Sequence, residues 1–273
     1  MKSRRGFLNL QQPNCVTRLP AQIIWYFALT VFLLFGSAVF LVADEVPDEV
    51  PDKAAPSAFA PAKDLEQQIT YFVKRLDKQL ADEADYNEDR QINVERDAST
   101  LAVIAVVLAN HDQPGELKAS ALLSSAQSLV EAAGDYAEAI QSLQALKDAL
   151  AVKEDSASVD WESSGVDLSV LMKQVPIVNN TLRRGVSGRR FKRSADRSAG
   201  LAATLAALAH VSAFDDAYCG DEEDELMWRQ FCMEMRDSSA RANQAIQELD
   251  QKAAMNALDE IVESCDRCHE KFR

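Results

Sequence analysis

From Asp64 to the C-terminus the apolar residues return every three or four positions, and no other feature of the chain restricts its fold as tightly. Leu65, Ile69, Phe72, Val73, Leu76 and Leu80 fall on one face of a helix, a spacing that a strand, with its period of two, cannot use. The same pattern predicts helices over about 94–110, 115–133 (opened by Pro114), 135–152, 168–185, 193–214, 223–248 and 250–272. Glycine is scarce, and Ala, Leu, Glu, Gln and Lys, which lose little freedom in a helix, recur throughout. The expected fold class is all-α: two tandem antiparallel four-helix bundles, residues 64–152 and 165–273, separated by the linker 153–164 (KEDSASVDWESS), where Trp161 is expected to pack. LAVIAVVLAN at 101–110 lies over LAATLAALAH at 201–210, which reads as an internal duplication at an offset of 100.

Residues 1–43 contain Lys2, Arg4, Arg5 and Arg18, no acid, and an uncharged run from Ala21 to Ala43. That run is long enough to span ~30 Å of hydrocarbon at ~1.5 Å per residue, so it reads as a signal peptide or a membrane anchor. Ser3-Arg4-Arg5-Gly6-Phe7-Leu8 also resembles a twin-arginine export motif, although it stands about a dozen residues before the run. In every case the rest of the chain is expected to be exported, either free in the periplasm or anchored and facing it. Residues 44–63, DEVPDEVPDKAAPSAFAPAK, form a proline-rich acidic tether. The net charge of -14 argues against nucleic acid and for a partner with a basic docking surface; membrane contact is expected only through residues 21–43 if they are uncleaved.

The chain ends in ESCDRCHEKFR. Cys265, Cys268 and His269 make C-x-x-C-H, the attachment sequence of c-type haem. On a helix, positions i, i+3 and i+4 share a face, so two sulfurs can bond the haem vinyl groups while the imidazole ligates iron. A zinc site would need about four ligands, and the chain has no second CxxC. A thioredoxin-like pair would need a strand–helix context that the helical pattern excludes. The end of the first predicted bundle, IQSLQALKDALAVK, has no cysteine or histidine.

Residues 165–273 resemble the class II c-type cytochromes, the cytochrome c-prime family: the tail CHEKFR matches that family's CHxxFR or CHxxYR ending. The resemblance implies a four-helix bundle with one covalent haem c hung from its last helix, and a distal face supplied by the first helix. Low-spin members place a methionine there, which points to Met172 as sixth ligand and makes His269 and Met172 the metal ligands; core packing is the other reading of Met172. Pro176 invites a kink beside it. Arg273 is a candidate partner for a haem propionate, or a favourable charge at the helix end. Leu168, Val175, Leu201, Leu205, Leu208, Trp228, Phe231, Met235 and Ile261 are candidate pocket walls. His111 and His210 read as surface or helix-end residues, and whether Cys219 and Cys232 form a disulfide stays open.

LRRGVSGRRFKRSADR at 182–197 is basic and DEADYNEDR at 82–90 acidic, so the two loops are expected to attract, docking the bundles or two copies of the chain as a homodimer. The function expected is an exported monohaem cytochrome that carries single electrons to or from a redox partner protein and is not an enzyme. The alternatives are a five-coordinate haem protein that binds a diatomic gas, and a non-haem interaction protein.

Overall fold

The computed structural model describes residues 54–113, 117, 119–151 and 158–272. Arg273, the run 21–43, Cys15 and the first part of the tether lie outside them. The described residues are all helical in their regular structure. The helices are α1 (Ala62–Gln79), α2 (Glu88–Ala109), α3 (Ala119–Ala132), α4 (Tyr136–Ala149), α5 (Leu168–Ser187), α6 (Phe191–Ser212), α7 (Glu222–Gln247) and α8 (Gln251–Phe272), with single 3-10 turns at Pro56–Ala58, Glu83–Asp85 and Trp161–Ser164. None of these helices is long and apolar enough to cross a membrane.

Local chemistry sets the helix starts. The carboxylates of Asp135, Asp167 and Asp221 and the amide oxygen of Asn87 each accept a backbone N–H of the first turn, satisfying donors that a helix N-terminus leaves orphaned. The Asn87 cap starts α2 two turns before the predicted position, because its opening residues, Glu88 to Asn93, are mostly polar and carry no apolar period. Pro176 lies within α5, which continues through it to Ser187, and the ring is on the exposed side.

Within α1–α4 and within α5–α8 each helix packs on its successor, α1 also touches α4, and α5 also touches α8. The two sets of four are joined by helix faces: α1 packs on α6, α2 on α5, and α2 on α6. Residues 98 to 107 of α2 and 198 to 212 of α6 are therefore buried on every side. One continuous apolar core runs from Phe59 through Leu101, Ile104, Leu201, Leu205 and Leu208 to Ile261.

The contacts between the sets exchange in pairs. Gln68 of α1 lies against Gly200 of α6, where a Cβ would come within 2.2 Å of the Gln68 amide nitrogen. Gln174 of α5 donates to Asp97 of α2 at 3.2 Å. α2 and α6 have 22 residues each, and Asp97 and Gly200 stand at the same depth in them, ten residues in from Asn87 and Arg190. The correspondence between the helices thus falls about one turn away from the offset of 100 seen in sequence. Asp97 is fully buried and also accepts from Arg75 (2.9 Å) and Gln79 (2.8 Å); burial pushes its pKa up, and Arg75 opposes the shift. Asp64 of α1 accepts from Asn243 and Gln247 of α7 at 2.7 and 2.9 Å.

The expected pairing of the loops 82–90 and 182–197 is not what joins the sets. Among the described residues no ion pair connects them: Arg90 pairs with Asp85 within its own loop, and Arg183 pairs with Asp259 of α8. Towards the first set of helices, the basic stretch places the Arg197 guanidinium 5.0 Å from the Tyr71 ring centroid.

Candidate haem-attachment site

The last turns of α8 carry Cys265, Cys268 and His269 to one cleft, whose other walls are Met172 of α5, Trp228, Phe231, Cys232 and Met235 of α7, and Ser264. The spacing of three and four residues on α8 converges as a helix requires, and the surface between these side chains is almost wholly apolar. Met172, half-buried, faces the cleft from the helix that the sequence singled out. Of the predicted walls, Trp228, Phe231 and Met235 line it; Leu168 packs in the small apolar cluster beside it with Trp228 and Cys232. Val175, Leu201, Leu205, Leu208 and Ile261 belong instead to the main core.

The walls are held by interactions outside the cleft. Trp228 donates its indole N–H to the Ser212 carbonyl at 2.9 Å, and Phe272 meets the indole edge-on with centroids 5.5 Å apart. Arg267 pairs with Glu234 and lies over Phe231, and Lys271 pairs with Asp224 at 2.8 Å, so α8 is tied to α7 on its exposed side. Exposed pairs of this kind contribute at most ~1 kcal/mol each, so their role is orientation.

Four thiols gather at this end of the molecule, and none is in a disulfide: Cys219, Cys232, Cys265 and Cys268 are all free. Cys265 Sγ lies 4.0 Å from Met235 Sδ. Burial, with Cys265 and Cys219 as weaker contributors, pushes Cys268 up to about 11. Burial raises Cys265, and raises Cys232 further above its ordinary value. These thiols stay protonated at neutral pH, the opposite of a nucleophilic redox cysteine.

Cys232 is a wall residue that sequence reasoning weighed only for a disulfide. The signal was present: it is four residues after Trp228 and three before Met235, hence on the same helical face. His210 departs from its predicted place, being 1% exposed within α6, where Phe59, Trp161 and Phe214 surround its ring. Its Nδ1 faces Arg236 at 3.3 Å and its Nε2 has no partner; burial, then the Arg236 charge, lower its pKa to about 3. His111 does follow the end of α2, but its side chain is buried, with Nε2 3.1 Å from the Ala60 carbonyl. Neither histidine reaches the cleft.

Two sulfurs and an imidazole on one helical face, a thioether on the facing helix and apolar walls are a donor set that fits a covalently attached haem. The gap between the walls holds about 30 Å³, so a macrocycle requires the aromatic side chains to part. Among the described residues no group of three or more His, Cys, Asp or Glu is arranged to hold a bare metal ion. No protein-family model, curated protein or solved structure matches the chain.

Proposed function

We propose that the chain is an exported monohaem c-type cytochrome, resembling the cytochrome c-prime family, built as two fused four-helix bundles of which only the second holds haem c. Cys265 and Cys268 would form the thioethers, and His269 and Met172 would hold the iron. The group supplies a one-electron couple when bound. The protein's own residues keep it attached, exclude water through Trp228, Phe231 and Met235, and leave His269 and the last turn of α8 near the surface, where a redox partner with a basic patch docks on an acidic chain. The chain is an electron carrier and not an enzyme. It works in the periplasm, free or held by residues 21–43.

The observation that carries this reading is the convergence of Cys265, Cys268 and His269 with Met172 on one apolar cleft. Met172 on that cleft favours a closed, six-coordinate iron over a gas-binding one. The test is to produce the full-length chain in a haem-attaching host and record spectra of the oxidised, reduced, and reduced carbon-monoxide-treated protein. Covalent haem that survives denaturing electrophoresis, low-spin bands, and a weak far-red ferric band lost in Met172→Ala are expected. A high-spin spectrum with ready carbon monoxide binding would transfer the reading to gas binding. Absence of covalent haem would overturn both.

A further inference from the structure

At the N-terminal end of α5, lined by Leu171 where the haem-attachment cleft is lined by Met172, is a second cavity, of about 310 Å³, at the lower end of the range that holds small ligands. Its aromatic wall is Trp161 stacked on Phe214, with centroids 5.7 Å apart and planes inclined by 15°. Leu171 and Val211 close the apolar side. The remaining wall is acidic, with the carboxylates of Glu162, Asp167, Asp215 and Asp216, and no lysine or arginine is among the lining residues. Asp167 and Asp215 are held by backbone N–H groups at Ser169 and Ala217. Lys173 is close enough to Asp167 to lower its pKa but is not a lining residue, and neither is Arg236, which faces His210.

A second observation is independent of the carboxylates. Ser212 lines the cavity and is 1% exposed, yet its hydroxyl has no hydrogen-bond partner. Buried hydroxyls are ordinarily satisfied, and leaving one unpaired costs roughly 1–3 kcal/mol. A donor entering from the cavity side would relieve it.

We infer that this cavity binds a small organic ammonium ion, its charge facing the carboxylates and its carbon substituents lying on the Trp161–Phe214 pair. The chemistry is that of cation–π recognition: the ring faces attract a weakly hydrated ammonium, and the four acids supply the field that concentrates it. A hydrated sodium ion carries the same charge but has no apolar surface to place on the rings. The site is separate from the haem-attachment cleft, and the inference stands whether or not haem is bound.

The test is calorimetric titration of the full-length chain with tetramethylammonium and with butane-1,4-diamine, each against sodium chloride at matched ionic strength. Saturable binding of at least one organic cation, with sodium giving none, is expected. Trp161→Leu should weaken it about five- to tenfold, the span of one cation–π contact. Glu162 and Asp216 are exposed, so Glu162→Gln and Asp216→Asn disturb no packing and should each weaken binding several-fold with the thermal midpoint unchanged. Equal response to sodium, or binding that survives the Trp161 and Asp216 changes, would mean diffuse counterion attraction to an acidic surface and would overturn the inference, as would no binding at all.

Discussion

At the level of single residues, the chemistry that the sequence carried most openly is the cluster Cys265, Cys268 and His269, because its spacing is meaningful on any helix. Met172 was legible only through the family resemblance, which puts a methionine near the start of this helix, and its cleft-facing position is a consequence of packing. His210 was not legible: it follows an alanine-rich run with no polar face from which to judge its side. Its burial has a measurable consequence. The folded-state pKa of about 3 is below the ordinary 6.5, so the unfolded chain takes up the proton first. His210 therefore contributes stability that is present above pH 6.5 and is lost as pH falls towards 3. Replacing it with phenylalanine, which suits the Phe59, Trp161 and Phe214 surroundings, should flatten the acid dependence. Denaturant titrations at pH 7 and pH 4.5 are expected to differ by roughly 1–3 kcal/mol less in His210→Phe than in the native chain.

At the level of helices, the apolar period gave nearly every element, and most predicted ends fall within three residues of the observed ones. The early start of α2 was hidden because a cap and a polar first turn leave no apolar period. Two connections make predictions. Between α7 and α8 the chain reverses through Leu249 at φ 60°, with Asp250 N–H donating to the Ala245 carbonyl at 2.8 Å. A left-handed residue costs a non-glycine side chain about 1–2 kcal/mol, and Leu249 is largely exposed, so Leu249→Gly should raise stability by about 1 kcal/mol in thermal melts. At the contact of α6 with α1, Gly200→Ala gains helix propensity of up to ~1 kcal/mol but drives a methyl into Gln68. The substitution is expected to be neutral or destabilising in the native background and stabilising in Gln68→Ala. A double-mutant cycle that shows simple additivity would remove Gln68 as the reason for this glycine.

At the scale of the whole molecule, the sequence separates the two sets of helices by a linker, whereas the apolar core passes between them without interruption. The stretches 101–107 and 201–209, apolar on all faces but for Thr204, are buried all round, and that all-round character is what a one-sided periodic reading overlooks. Separating the sets would expose both α2 and α6. Chains cut within residues 153–157 are therefore expected to be poorly soluble or self-associated when each half is produced alone, and to recover a soluble complex when the halves are produced together. Size-exclusion chromatography of the two cases decides it; halves that are separately monomeric and helical would mean that the shared core is dispensable.

The paired exchange of contacts, α1 on α6 and α2 on α5, is the pattern by which two like subunits meet across a two-fold axis, here within one polypeptide. Separate subunits meeting this way come apart on dilution, at a concentration fixed by their affinity. A tethered pair experiences an effective concentration of the order of millimolar however few molecules are present. The half without a CxxCH motif thus stays on its neighbour at any expression level, and its own sequence is free to diverge without the symmetry that two identical subunits would impose.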